Sequence, residues 1–197
     1  TNQISGGQDF VVPLNIASLA VHAKSKLKDS VEISLFKYPQ ELLNALNREP
    51  PDVVGFSNYI WNQNINAKIA SIIRKEFPKT LILMGGPSIR NDDAGTEEFL
   101  RQNRYLDIYI PFEGERPFLE VLNKFAAKGR SFLNDDTPLP GCAYLRSNKL
   151  VYLRAAQDGT VEDLASPYLT GVLDEFMQRG LIPLFETNRG CPFLCTF

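Results

Sequence analysis

The pattern of apolar and polar residues alternates between two periods along the first two thirds of the chain. Apolar residues recur at every third or fourth position over residues 15–27, which predicts a helix with one buried face. Residues 31–36 instead alternate apolar and polar side chains, which predicts a half-buried strand. The two patterns then succeed each other as a helix over 40–47, a strand over 52–57, a helix over 64–77, a strand over 80–84, a helix over 97–102, a strand over 106–110 and a helix over 117–128.

Strands that alternate with helices favour an α/β fold with an open parallel sheet and helices on both faces. Right-handed crossovers leave few topologies, and the flavodoxin-like (Rossmann-like) doubly wound sheet fits this order of elements. No convincing strand precedes the first predicted helix. We therefore expect the first strand of that fold to be missing or to lie within residues 1–12.

After Gly129 the pattern changes to turns and short strands. Residues 142–153 predict a β-hairpin, and a linker through residues 166–168 follows it. A short helix over 171–179 and a strand over 182–186 come next. We therefore divide the chain into three parts: an α/β domain (1–129), a hairpin and linker region (130–180) and the start of a further domain (181–197).

Composition and charge exclude several classes of function. The 197 residues are 44% hydrophobic and 22% charged with a net charge of -2, which is ordinary for a globular protein. No clustered basic segment predicts nucleic-acid binding, and no run of about 18 apolar residues predicts a membrane span. The expected partner is therefore a small-molecule cofactor. Three cysteines, an odd number, do not indicate a secreted disulfide framework and fit the reducing cytoplasm.

Three of the predicted strands end in segments rich in glycine and polar residues. In an open α/β sheet, ligands bind beyond the carboxyl ends of the strands, where glycine lets the backbone approach a ligand and helix amides can hold it. An ordinary turn is the alternative for Gly85 and Gly86. The candidate cofactor-binding residues are Ser57, Asn58, Tyr59 and Trp61 after the first of these strands, Gly85, Gly86, Pro87 and Ser88 after the second, and Glu113, Gly114 and Glu115 after the third.

Three single residues call for an interpretation of their own. Trp61, the only tryptophan, is either a loop aromatic packed on the edge of its own domain or a flat wall for a large planar cofactor. His22, the only histidine, falls within the first predicted helix, where we expect a solvated or capping side chain and not a metal ligand. Cys142 is expected to be a small buried thiol of the hairpin.

The C-terminal segment carries two cysteines, Cys191 and Cys195, with C-x-x-x-C spacing after a glycine turn. Such a pair is either structural or binds a metal. Thiolates are soft ligands suited to iron–sulfur clusters, and cysteines in one tight loop can reach the same cluster. Two thiolates do not hold a cubane cluster alone, so a third would be needed directly after Phe197.

Residues 187–197, TNRGCPFLCTF, resemble the start of the radical S-adenosylmethionine (SAM) motif, C-x-x-x-C-x-x-C, up to the residue before its third cysteine. The turns at 56–57, 84–87 and 113–115 are similar in order and spacing to those of the cobalamin-binding domain that precedes this motif in one large subgroup. So are the linker residues 140–141 and 166–169. By this resemblance, which covers nearly the whole chain, the protein is identified as the front part of a cobalamin-binding radical SAM protein.

The resemblance implies three cofactors. Members of this family bind a [4Fe–4S] cluster through three cysteines, of which Cys191 and Cys195 would be the first two, and the open iron binds SAM. Reductive cleavage of this SAM yields a 5′-deoxyadenosyl radical. Cobalamin commonly carries a methyl group to an unactivated carbon or phosphorus, and some members perform cyclisation or ring chemistry instead. The Asp-x-His-x-x-Gly signature, whose histidine ligates cobalt from below, is absent here. The lower face would therefore be open or covered by a side chain, for which Trp61 and its neighbours are the candidates.

These observations lead to one main hypothesis and two alternatives. We expect the full-length protein to be a radical SAM enzyme, with cobalamin-dependent methyl transfer or related radical chemistry, and this chain to be inactive without the SAM-binding barrel. No catalytic residue is therefore assigned. The first alternative is a module that binds a corrinoid or nucleotide-like ligand without catalysis. The second is an interaction domain whose corrinoid site has decayed.

Overall fold

The computed structural model describes residues 10–90, 92–155 and 164–187. Helices and strands alternate through most of these residues, as the sequence predicts. The α-helices are α1 (Leu14–Leu27), α2 (Pro39–Arg48), α3 (Gln63–Glu76), α4 (Asp93–Gln102), α5 (Glu115–Lys128) and α6 (Asp174–Gln178). The strands are β1 (Val53–Ser57), β2 (Leu81–Gly85), β3 (Ile108–Ile110), β4 (Ala143–Arg146) and β5 (Lys149–Tyr152), and two 3₁₀ helices span Lys28–Ser30 and Gly129–Asn134.

The strands form a single mixed sheet in the order β1-β2-β3-β4-β5. The first three strands are parallel, as expected for a Rossmann-like α/β fold, and each is followed by a helix. The predicted hairpin forms β4 and β5 and extends the same sheet, because Ala143 pairs antiparallel with Tyr109. The fold class predicted from the sequence is confirmed.

Both faces of the parallel strands are buried, which is why their sequences read as nearly continuous apolar runs. On one face, Ile82, Met84 and Tyr109 pack with residues of α3 and α4. On the other face, Leu81, Leu83, Ile108 and Ile110 pack with Val121 of α5 and with Phe132. A third cluster joins α1 to α6 and consists of Val12, Ala17, Leu173, Phe176 and Leu181.

Two predicted strands do not form in the described residues. Residues 31–36 keep their alternating exposure but pair with no strand, and residues 182–186 contribute a single bridge, between Ile182 and Val11. Alternation decides which face of a segment is buried, whereas a strand also needs a neighbouring backbone with free hydrogen-bonding groups. Within the described residues, β1 pairs with β2 alone. The boundaries at residues 129 and 180 stay predictions.

The amino ends of the strands are tied together by Asp107, whose side chain is 7% exposed. Its carboxylate accepts hydrogen bonds from the guanidinium groups of Arg74 and Arg130 and from the backbone N–H of Ile82. One carboxylate thus links α3, β2, β3 and the second 3₁₀ helix. None of the helices in the described ranges is long and apolar enough to cross a membrane.

Candidate functional site

The parallel strands β1, β2 and β3 end at the same edge of the sheet, here called the carboxyl edge. It consists of residues 57–62, 85–88 and 112–115, which follow these strands. The backbone N–H of Asn58 donates to the carbonyl of Gly85 at 2.6 Å, and the N–H of Gly86 donates to the carbonyl of Ile110 at 3.1 Å. The structure therefore brings the three predicted segments together, and their role in binding stays a prediction.

A buried chain of hydrogen bonds supports this edge. Asn58 is fully buried, and its Nδ2 donates to the hydroxyl of Tyr109 at 3.2 Å. That hydroxyl donates in turn to the carbonyl of Gly86 at 2.7 Å. Burial raises the pKa of Tyr109 to about 12, opposed by the hydrogen bond from Asn58 and assisted by Tyr59. The hydroxyl therefore stays protonated at neutral pH and keeps donating.

Tyr109 was not among the residues predicted for the site. The available signal was its amphipathic side chain in an otherwise apolar buried strand, since a buried tyrosine hydroxyl requires a partner. The side chain reaches from β3 to the loops after β1 and β2, which lie on neighbouring strands. Only the sheet order makes that contact apparent.

Asn58 also carries a buried polar atom whose hydrogen bonding is incomplete. Its side-chain oxygen Oδ1 is buried and has no hydrogen-bond partner in the described part of the chain. A buried acceptor without a partner is costly, and such groups in native proteins call for an explanation, of which a bound ligand or ordered water is one. The edge therefore holds a buried acceptor suited to an N–H group.

Two further asparagines fix the loop after β1. The side-chain amides of Asn62 and Asn66 both donate to the carbonyl of Ser57, at 2.9 and 2.7 Å, and Asn62 also accepts from the N–H of Tyr59 at 2.8 Å. Both side chains are buried. Sequence reasoning missed them, although their spacing of four residues at the start of a helix indicates a shared face.

This frame holds a stacked aromatic pair, of which Trp61 is exposed and Tyr59 is half-buried. The rings of Tyr59 and Trp61 stack with their centroids 4.8 Å apart and their planes at 7°, and Trp61 remains 50% exposed. Ile60 on the same loop and Phe112 after β3 are 75% and 50% exposed. Trp61 thus packs on its own loop and half of its surface is open, and its role as a wall for a planar cofactor stays a prediction.

The glycines of the edge serve the packing of the chain on itself. A Cβ on Gly86, whose φ is +134°, or on Gly85 would come within 3.0 Å of the carbonyl oxygen of Asn58 or Ile110. A Cβ on Gly114 would lie 3.2 Å from Leu19 of α1. The alternative of a plain turn therefore describes Gly86 incompletely, because its missing side chain lets two strand-end loops touch.

The remaining predicted residues differ in exposure. Pro87 is exposed and lines a cleft of about 140 Å³ between the loops after β2 and β3, Ser88 is half-buried and Glu113 is exposed. Glu115, the first residue of α5, is buried, with 4% of its surface exposed. The predicted ligands Cys191 and Cys195 lie outside the described residues.

Two of the single residues interpreted from the sequence can be compared with the structure. His22 is buried in α1, with 4% exposure, so the expectation of a solvated side chain was wrong. The alanines around it place it on the packed face of the helix. Cys142 is fully buried, as expected, and burial raises the pKa of its thiol to about 12. No group of metal-binding residues occurs within the ranges the structure covers.

No family model matches the chain. Two curated proteins match it over 154 residues, which are 75% of this chain. The cobalamin-dependent radical SAM methyltransferase TokK of Streptomyces tokunonensis is 36% identical. The 2-(S-pantetheinyl)-carbapenam-3-carboxylate methyltransferase of Streptantibioticus cattleyicolor is 34% identical. The chain spans 22% of the length of each of these relatives.

Among solved structures, the cobalamin-dependent SAM radical enzyme OxsB with aqua-cobalamin bound has a TM-score of 0.58 with this chain. The match covers 85% of this chain and 24% of that one at 18% identity, so it shows a shared fold. The resemblance that the strand-end turns indicated is confirmed by these relatives. Over about three quarters of its length, the chain is homologous to cobalamin-dependent radical SAM methyltransferases.

Proposed function

We propose that the carboxyl edge of this sheet binds cobalamin, and that the full-length protein is a radical SAM enzyme that uses it for methyl transfer or related radical chemistry. The observation that carries the proposal is the half-exposed ring of Trp61, stacked on Tyr59 in a loop fixed by buried asparagines. The relatives support it, since TokK is described as cobalamin-dependent and OxsB was solved with aqua-cobalamin.

The residues at this edge fit a corrinoid in two respects. A corrin is a broad, flat and largely apolar ring fringed with amides, and the exposed surfaces of Ile60, Trp61 and Phe112 offer apolar contact to such a ring. The buried Oδ1 of Asn58 lacks a donor among the described residues, and corrin side-chain amides are donors. When bound, cobalamin would supply a transferable methyl group.

The side chains of this edge would orient the cofactor rather than ligate its metal. His22, the only histidine, is buried in α1, so the chain offers no exposed imidazole for cobalt. We assign to Trp61 the role of covering the lower face of the ring and excluding water from it. The Asn58–Tyr109–Gly86 hydrogen bonds would keep the loop that carries Trp61 in place.

The iron–sulfur part of the proposal rests on the sequence motif alone. Cys191 and Cys195 would be the first two thiolate ligands of a [4Fe–4S] cluster that binds SAM in the full-length protein. Thiolates awaiting a cluster need a reducing compartment, so we place the protein in the cytoplasm.

Titration of the purified chain with hydroxocobalamin and methylcobalamin tests the proposal. We expect saturable binding with a base-off visible spectrum, together with quenching of the fluorescence of Trp61, the only tryptophan. Trp61→Ala should weaken the affinity about tenfold, and Trp61→Phe, which keeps a flat ring, should weaken it less. A folded chain that binds neither corrinoid would exclude this function and favour an interaction domain.

A further inference from the structure

A second and larger cleft lies at the opposite edge of the sheet, where β3 begins. It is formed between the C-terminal end of α4, the 3₁₀ helix Gly129–Asn134 and β4, and its volume is about 450 Å³. That volume is within the usual range of small-molecule sites. None of the candidate cofactor residues of the carboxyl edge lines this cleft.

Positive charge exceeds negative charge in this cleft. Its charged lining residues are Arg104, Arg130 and Asp107. Asp107 is shared, since one carboxylate oxygen binds Arg130 and the other binds Arg74 at 2.5 Å. Arg104 forms no ion pair with the residues that the structure describes, and its Nη2 donates to the side chain of Asn148 at 2.6 Å. Two guanidinium groups and one carboxylate therefore line the cleft, and the same carboxylate also binds Arg74, in a chain whose net charge is -2.

The carboxylate that directly follows the lining residue Asn134 does not cancel this excess. Asp135, which follows the second 3₁₀ helix, is bound through both carboxylate oxygens by Lys128 at 2.9 Å. Burial lowers the pKa of the Arg130 guanidinium, the charge of Asp107 raises it, and Arg74 lowers it. An anion in the cleft would stabilise the charged form of Arg130 in the same way as Asp107 does.

Both lining arginines keep donors to spare. A guanidinium has five N–H donors. Arg130 donates three hydrogen bonds, to the carbonyls of Pro78 and Thr80 and to Asp107. Arg104 donates one, to Asn148. These bonds also hold the guanidinium of Arg130 in a fixed position, which lowers the entropic cost of binding a ligand there.

Four leucines contribute an apolar part to the otherwise polar lining of the cleft. Its leucine residues are Leu100, Leu106, Leu133 and Leu145. Leu100 and Leu106 are buried, and the other two are half-buried. The partly exposed side chains of Leu133 and Leu145 lie beside guanidinium donors that have no protein partner among the described residues. They suit a ligand with a small apolar body and one anionic group, because the body covers these two leucines while the anion meets the arginines.

We propose that this cleft is a binding site for a small organic anion, in which a phosphate or carboxylate group accepts hydrogen bonds from Arg104 and Arg130 and an apolar body lies on Leu133 and Leu145. The site is separate from the proposed cobalamin site and rests on none of its residues. Either site can therefore be present without the other.

Titration of the chain with phenyl phosphate and with benzoate, followed by NMR of isotope-labelled leucine methyl groups, tests this proposal. We expect one or both anions to shift the methyl signals of Leu133 and Leu145 in a saturable manner, and the tighter of the two identifies the anionic group. Benzyl alcohol, which has the ring without the charge, and inorganic phosphate, which has the charge without the ring, should each bind about tenfold more weakly.

Arg104→Gln is the decisive variant, because Arg104 is exposed and its replacement should leave the fold intact. It should weaken the binding of the aromatic anion about tenfold. Arg48→Gln, which removes an exposed arginine at the end of α2, should leave the affinity unchanged. Equal affinity in the Arg104 variant, inorganic phosphate as tight as the aromatic anion, or no shift at either leucine would each overturn the proposal.

Discussion

Of two buried tyrosine hydroxyls in the described residues, one is hydrogen-bonded and the other is not. The hydroxyl of Tyr109 accepts from Asn58 and donates to Gly86. The hydroxyl of Tyr152 is buried and has no hydrogen-bond partner among the described residues. The free energy of removing a buried polar group depends on the partners that it leaves behind, so the two positions should respond differently to the same substitution.

Tyr109→Phe should lower the free energy of unfolding by about 2 kcal/mol, because the amide of Asn58 and the carbonyl of Gly86 each lose a partner. Tyr152→Phe is the matched control and should leave stability unchanged or raise it, since no bond is lost. Urea unfolding followed by circular dichroism measures both. Equal losses in the two variants would contradict the hydrogen-bond chain beneath the carboxyl edge.

Cys142 should make the stability of the chain depend on pH in the alkaline range. Burial raises the pKa of its thiol from 9.0 to about 12. Above pH 9 the thiol therefore ionises in the unfolded chain before it ionises in the folded one. Its contribution to stability is complete below that pH and is lost as the pH rises towards 12, by about 1.4 kcal/mol per pH unit.

The difference between the chain and its Cys142→Ala variant isolates this contribution. Unfolding free energies measured from pH 8 to pH 10.5 should decline more steeply for the unchanged chain, because tyrosine and lysine titrations are common to both. Parallel pH profiles would show that the thiol is not desolvated in the folded chain.

Residue identity alone predicted the burial of Cys142 and failed for His22. A small apolar thiol in a hairpin has few alternatives to burial. A histidine in an amphipathic helix lies on whichever face the tertiary packing covers, and α1 packs against both α5 and α6. The sequence does not show that second contact, so the helix looked more exposed than it is.

At the scale of elements, the strand-end loops are joined by a glycine that no other residue can replace without strain. Gly86 has a φ of +134°, and its Cα faces the backbone of Asn58. Gly55, in the middle of β1, is the opposite case. Its φ is not in the positive region, and a Cβ there would meet no atom within 4 Å.

Gly86→Ala should lower the free energy of unfolding by about 3 kcal/mol, through the positive φ and the contact with Asn58. Gly55→Ala should raise it by about 0.5 kcal/mol, because alanine restricts the unfolded chain and costs nothing in the strand. Thermal unfolding of both variants measures the difference. A tolerated alanine at residue 86 would mean that the loops are not packed as described.

The strand predicted over residues 31–36 shows the limit of pattern reasoning for elements. Its alternation is retained as alternating exposure, and Leu35 packs against the cluster between α1 and α6. The segment nevertheless pairs with no strand in the described residues. Hydrogen bonding to a neighbour is a property of two segments, so one segment's sequence cannot establish it.

For the molecule as a whole, the ion pair network of Asp107 joins segments that are far apart in sequence. Asp107→Asn should lower the free energy of unfolding by about 3 kcal/mol, because the guanidinium groups of Arg74 and Arg130 would lose a carboxylate in a largely buried setting. Asp93→Asn, which breaks the exposed pair with Arg154, should cost less than about 1 kcal/mol.

Unfolding in urea and in guanidinium chloride should agree on the loss of stability caused by Asp107→Asn, because salt screens an ion pair far less when it is buried. The loss on Asp107→Asn should therefore be seen in both denaturants. A loss for Asp93→Asn as large as that for Asp107→Asn would show that burial does not distinguish the two ion pairs.

The sequence by itself determined the order of the helices and of the strands that pair in the sheet, the α/β class, the buried thiol and the resemblance to cobalamin-binding radical SAM proteins. These follow from periodicity, turn residues and local motifs, which are properties of neighbouring residues. Only the tertiary structure decided that the hairpin joins the sheet, that Tyr109 supports the carboxyl edge, and that Arg104 and Arg130 share a cleft. Each of those depends on contacts between distant segments, and packing in three dimensions decides them.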